Sequence, residues 1–225
     1  MKVVCISDTH SMHYDIADLT DGDLLIHAGD FTLRGLSHEV EQFADWMREQ
    51  PHKHKVVIAG NHDLCAESHG LLTKEIFESR EIHYLRDSSV TLDGAVIYGS
   101  PWQPFFNNWA FNVEKEEDLY TKFSNAPADT DILITHGPPR GVLDRNKEGE
   151  LCGSTALRAR ILEITPALFV CGHIHEARGI DFLGNTRCVN AACVDLRLKM
   201  LRSPEIVVDL TINKDVKDEI KKINN

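Results

Sequence analysis

The sequence predicts an α/β protein whose parallel strands, buried on both faces, present polar residues at their carboxyl ends. Two observations carry this. Apolar runs too short for a helix and free of polar alternation recur at 2–7, 23–28, 56–59, 131–135 and 167–171, the pattern of strands covered on both sides. Each run then stops at Asp, Asn or His: Asp8-x-His10, Gly29-Asp30, Gly60-Asn61-His62-Asp63, His136 and Gly172-His173-x-His175. The carboxyl ends of parallel strands are where α/β folds place their ligands.

Taken in order, residues 2–7 (KVVCIS) form the first strand and 23–28 (DLLIHA) the second, with 15–21 between them a short helix or turn. Ser37 is placed as the N-cap of a helix running to about Glu49, with Val40, Phe43, Ala44 and Met47 as its apolar stripe and Pro51 beyond its end. The third strand, 56–59, breaks at Gly60, where the backbone is expected to turn sharply. Residues 71–79 read as a helix. The period then changes: 82–85, 89–92 and 95–99 are short strands, the last two joined by the hairpin signal Asp93-Gly94. A loop rich in aromatics and prolines occupies 100–112 (SPWQPFFNNWAFN), its Trp102, Phe105, Phe106 and Trp109 read as core cover, with stacking on a base or aryl ester as the alternative. An amphipathic helix at 114–123 precedes the strand 131–135, and a helix at 155–164 stopped by Pro166 precedes the strand 167–171. Residues 185–191 and 205–210 complete the sheets, and the charged tail 214–225 forms a short helix or frays.

No repeat, low-complexity tract or linker divides the 225 residues, so one domain over 1–225 is the economical reading, with the tail peripheral. A formal charge of −11 argues against an extended nucleic-acid or acidic-membrane surface. The six cysteines are scattered without a Cys-x-x-Cys pair, and several lie in apolar runs, as reduced core residues do. With no signal-peptide pattern and no apolar stretch of membrane-spanning length, a cytoplasmic location is expected. The oligomeric state stays open, a homodimer included.

The five strand ends point to one site. In extended backbone, residues i and i+2 face the same side, so Asp8 with His10, and His173 with His175, each aim two ligands at one place. Each fragment alone is an ordinary turn; five in this order, each after a strand, are not. The donors are oxygen and imidazole nitrogen without thiolate, a set suited to Mn²⁺, Fe or Zn²⁺ and unlike a closed structural zinc site. Asp8, His10, Asp30, Asn61, His136, His173 and His175 are too many for one ion with open positions, so two divalent ions sharing Asp30 is the natural count, with Mn²⁺ favoured. The remaining histidines (His13, His27, His38, His52, His54, His69, His83) are read as structural or solvated, His69 being a weak exception because it follows the Gly-Asn-His-Asp turn closely.

The whole series resembles the signature of calcineurin-like metallophosphoesterases, over residues 2 to about 210. Within that family, IHAGDFT, IAGNHD, YGSPWQPFF, WAFN, DILITHGPP and GHIHEARG are similar to the small metallophosphoesterase-domain proteins. The resemblance implies a four-layer αββα sandwich with metals at the strand ends. It implies that Asp8, His10, Asp30 and His175 hold one metal, that Asp30, Asn61, His136 and His173 hold the other, and that His62 contacts phosphate and protonates the leaving oxygen. No ligand position is missing. The segment after Asp30 (FTLRG) and Asp63 in place of Glu depart from protein serine/threonine phosphatases. The implied activity is hydrolysis of small phosphodiesters, cyclic nucleotides among them, by a metal-bridging hydroxide. A phosphomonoesterase aided by Arg34, Arg140 or Arg178, and a metal-bound scaffold with weak catalysis, are the rivals; a nuclease fits less, for want of a basic track.

Overall fold

A computed structural model describes residues 1–212, so the expectation for 214–225 lies outside the described residues. In chain order the elements are β1 (Lys2–Ile6), β2 (Leu24–Ala28), α1 (Ser37–Glu49), β3 (His54–Ile58), α2 (Leu64–Ser68), α3 (Gly70–Glu78), β4 (His83–Tyr84), β5 (Ser88–Leu92) and β6 (Ala95–Ser100). Then come β7 (Gln103–Pro104), β8 (Asn112–Val113), α4 (Glu116–Ser124), β9 (Ile132–Thr135), α5 (Thr155–Ile164), β10 (Leu168–Cys171), β11 (Gly179–Leu183), β12 (Thr186–Asn190) and β13 (Ile206–Asp209).

Two sheets result. The first has the order β13-β1-β2-β3-β4, with β1 to β4 parallel and β13 antiparallel at the edge. The second has the order β11-β12-β10-β9-β6-β5, parallel through β12, β10, β9 and β6 with an antiparallel strand at each edge. The alternation of side chains sorts the core into three layers. Val3, Cys5, Leu24, Ile26, Val56 and Ile58 of one sheet pack against Ile97, Ile132, Ile134, Leu168, Val170 and Val189 of the other. Their neighbours Val4, Ile6, Leu25 and Val57 face outward onto Phe43, Met47 and Phe77 of α1 and α3. On the far side Leu133, Phe169 and Cys188 meet Leu119, Phe123, Leu157 and Ile161 of α4 and α5. Covering both faces of both sheets is what makes the strands read as unbroken apolar runs, and the architecture is the four-layer αββα sandwich.

Several local expectations are corrected. Leu36, extended at φ −87° and ψ 146°, caps α1, and Ser37 is its first helical residue. Glu39 supplies the cap from inside: its carboxylate accepts the N–H groups of Leu33, Arg34 and Leu36 and the Ser11 hydroxyl. Of residues 15–21, expected as a short helix or turn, Asp15 ends a single 3₁₀ turn at His13–Asp15 and 16–21 are irregular. The helix expected at 71–79 begins at Gly70 and follows a separate short helix, α2. Strand β11 and the two-residue pair β7–β8 within the aromatic loop are additions.

Candidate metal centre

Strands β1, β2, β3, β9 and β10 all end at one place, with Asp8 and His10, Asp30, Asn61 and His62, His136, and His173 and His175 on the loops that follow. The donor atoms of Asp8, His10 and His175 lie within 4.8 Å of one another, as do those of His10, Asp30 and His62, and those of Asp8, Asp30 and His136. Asn61 joins through its Oδ1, 3.0 Å from His136 Nε2. The His173 ring lies 5.0 Å from that of His136, centre to centre. All eight expected site residues are therefore brought together. His69 is not; it lies exposed, bonded to Ser68.

The route to convergence differs from the expected alternation. Asp8, His10, Asp30 and His173 have φ of +56°, +43°, +59° and +67°, left-handed conformations that non-glycine residues seldom adopt. Left-handed turns, not extended backbone, aim the side chains. Such conformations are uphill by about 1–3 kcal/mol each and persist where the surroundings hold them. Here Asp63 does much of the holding. Its buried carboxylate accepts from the N–H groups of Asp30, Thr32 and Gly60 and from the Thr32 hydroxyl, joining the β2 and β3 loops. Burial and the neighbouring Asp30 charge raise its pKa to about 7 against those donors.

Gly60 does not have a positive φ. Close approach requires it instead, because a Cβ there would sit 2.4 Å from Asp30 Oδ1. Gly172 is tighter still, with a Cβ falling 2.0 Å from Asp8 Oδ2 and 2.1 Å from Ser7 Oγ. We expect Gly172→Ala to displace Asp8, cost about 2–3 kcal/mol of stability and remove at least one equivalent of bound metal. Thermal denaturation with metal analysis checks this, and unchanged values in both would contradict the packing.

The donor set fits divalent ions. His136 Nδ1 is 2.9 Å from Ala28 O, His62 Nδ1 is 2.9 Å from Leu33 O, and His175 Nδ1 is 3.4 Å from Asp195 O. A carbonyl only accepts, so each Nδ1 carries hydrogen and each Nε2 is turned to the cleft. There His136 Nε2 meets Asn61 Oδ1 at 3.0 Å and Asp30 Oδ2 at 3.3 Å, and His175 Nε2 meets Asp8 Oδ1 at 3.3 Å and His10 Nε2 at 3.4 Å. Donor atoms bonded at about 2.0–2.1 Å to one ion stand about 3.0–3.4 Å apart. Lone pairs facing each other at that spacing are satisfied by a cation between them, or by a proton on one of the imidazoles.

The local electrostatics agree. Burial pushes Asp8 and Asp30 up, yet the imidazoles of His175 and His136 hold both carboxyls well below the usual range. Burial pushes His136 down, but the Asp30 carboxylate beside it prevails and raises it to about 9. His173, buried and next to His136, falls to about 3.

A cleft of about 620 Å³ opens above the donors. Phe105 and Phe106, 53% and 49% exposed, form one wall; Asn146, Lys147, Glu148 and Cys152 form another; Glu176, Leu196 and Leu198 close the third. The aromatic loop thus splits in role. Trp102 belongs to the core, bonded to Asp87 with Lys122 over its ring. Trp109 lies against His62 with ring centres 3.9 Å apart and planes tilted by 35°, and Phe106 sets its ring at right angles to His173. The arginines beside the motifs do not line the cleft. Arg178 bonds the carbonyls of Ala192, Ser203 and Glu205, Arg140 bonds that of Leu151, and Arg34 is exposed. The loop 144–152 is the contributor that sequence reasoning did not single out; Trp109 was read as core cover with stacking on substrate as the alternative, and Asp63 as the end of the Gly-Asn-His-Asp turn, neither as a support of the ligand loops.

Fold and site together define a metallophosphoesterase. The chain belongs to the calcineurin-like phosphoesterase family, whose model matches residues 1–177. Its activity class is divalent-metal-dependent hydrolysis of phosphoesters. It is 40% identical over 232 residues to human Metallophosphoesterase domain-containing protein 1, covering 93% of this chain and 71% of that protein. UPF0046 protein K07C11.7 of Caenorhabditis elegans is 39% identical over 204 residues, covering 85% and 69%. Among solved structures, a phosphopantetheinyl hydrolase from Mycobacterium tuberculosis shares the fold at a TM-score of 0.67 and 14% identity, covering 92% of this chain and 95% of that one. Among the described residues no helix is long and apolar enough to cross a membrane.

Proposed function

We propose that this chain is a binuclear phosphodiesterase acting on small phosphodiesters, cyclic nucleotides among them. Asp8, His10, Asp30 and His175 hold one ion, and Asp30, Asn61, His136 and His173 hold the other. Mn²⁺ suits these oxygen and imidazole donors, with no thiolate among them. Two divalent ions, when bound, supply Lewis-acid polarisation of the phosphoryl oxygens and hydroxide at neutral pH. The chain's own residues do the rest. Asp30, placed between the two donor groups, is the shared carboxylate. His62, with its Nδ1 proton held by Leu33 O and its face covered by Trp109, turns Nε2 to the cleft and delivers a proton to the departing oxygen.

The preference for diesters rests on one observation: among the described residues lining the cleft, Lys147 is the sole lysine or arginine. A monoester carries about −1.5 to −2 near neutral pH, and little cationic surface is present here to receive the extra charge. The free state of all six cysteines supports a reducing, cytoplasmic setting. Metal titration of the chelated protein tests the centre. Two Mn²⁺ equivalents per chain with turnover appearing alongside them is the expected result. Full turnover by the chelated protein would overturn the reading.

A further inference from the structure

We infer that Glu176 is a specificity-determining residue, a fixed negative charge in the cleft wall that turns away substrates bringing a second negative charge. The inference rests on the phosphodiesterase reading and names the residue behind that preference. Glu176 directly follows His175 and lines the cleft. Its Oε1 accepts the backbone N–H of Lys147 at 2.6 Å, which holds the carboxylate in place across the gap between two loops.

The loop it meets is built from within. Asp144 accepts the N–H groups of Gly141 and Gly153, and Asn146 accepts those of Glu148 and Glu150. That loop therefore brings its own rigidity, and Glu176 fixes its position on the rim. The charges around the rim do not cancel. The Lys147 ammonium lies 3.5 Å from the Glu148 carboxylate, which offsets it. Among the described residues no cation pairs with Glu176, which accepts instead from the neutral Lys147 N–H. One uncompensated carboxylate thus stands beside a ligand of the metal centre. Like charges across a water-filled gap repel modestly, by an amount that falls with added salt. A monoester carries up to one charge more than a diester, so the penalty falls mainly on the monoester.

Glu176→Gln is the test, since the amide oxygen can still accept the Lys147 N–H while the charge is gone. The readout is the ratio of kcat/KM for p-nitrophenyl phosphate to that for bis-p-nitrophenyl phosphate. Both are measured on one Mn²⁺-loaded preparation, so metal loading cancels. The ratio is expected to rise about three- to tenfold at low ionic strength, further in Glu176→Lys, and the difference between wild type and Glu176→Gln to shrink toward nothing at about 0.5 M salt, as screening lifts the repulsion in the wild type. Glu41→Gln, exposed on α1 away from the cleft, controls for net charge and should leave the ratio unchanged. An unchanged ratio in Glu176→Gln, or an equal rise in Glu41→Gln, overturns the inference while leaving the phosphodiesterase reading intact. Absence of metal-dependent diester turnover in the wild type would instead defeat the reading beneath it.

Discussion

Replacing Asp30 by Ala should empty the shared position of the metal centre and lower turnover by about a thousandfold or more. Its Oδ2 lies 3.3 Å from His136 Nε2 and 3.9 Å from His10 Nε2, so one carboxylate reaches both donor groups. Its Oδ1 accepts the His62 N–H at 2.7 Å, tying the acid to the same residue. Asp63 bonds the Asp30 backbone, not its side chain, so the loop keeps its main anchor in the variant. The fold should survive, and a thermal melt would show that. Metal analysis of the chelated and reloaded variant should find fewer than two Mn²⁺ per chain. A full complement of metal would defeat the bridging assignment.

His62→Ala should separate chemistry from metal binding. Its Nδ1 is spent on Leu33 O, which leaves Nε2 to move a proton, a role worth about 10²–10⁴-fold. The variant should lose turnover on that scale and keep both metals. The loss should also depend on the leaving group. An alkoxide needs a proton as it departs, whereas p-nitrophenolate needs one far less, so alkyl diesters should suffer more. Because His62 lies within 4.8 Å of His10 and Asp30 donors, loss of metal in this variant would make it a ligand and remove the proton-donor assignment.

The parts of this protein that were legible in its sequence are those written locally. Strands β1, β2, β3, β9 and β10 are apolar on both faces because helices cover the outer face and the second sheet covers the inner, and that cover leaves a continuous hydrophobic run. Each strand's terminal ligand was visible for the same reason, as a polar residue where the run stops. Strand β11 was missed because Ile180, Asp181 and Phe182 are all exposed on an edge, so no burial pattern marks it. Strands β7 and β8, two residues each, carry no period at all.

The reasons behind the site were less accessible than its members. The i, i+2 alternation pointed to the right pairs, yet left-handed turns at Asp8 and His173 are what direct them. Three imidazoles are oriented by carbonyls of Ala28, Leu33 and Asp195, and 108 residues separate His136 from Ala28. Any residue type offers a carbonyl, so such anchors leave no trace in composition or spacing. Trp109 is similar. Its loop reaches His62 because Ala110 N–H bonds Asn61 O and Phe111 N–H bonds Glu67, contacts set by tertiary packing alone.

The central claim is that two divalent ions at these strand ends serve phosphodiester hydrolysis. Its most direct test is turnover of bis-p-nitrophenyl phosphate and p-nitrophenyl phosphate by the chelated protein, before and after Mn²⁺ is returned. Diester turnover that is absent after chelation, restored by Mn²⁺ and faster than monoester turnover is the predicted result. Dominant monoester turnover, or none for either ester with any divalent metal, would contradict it.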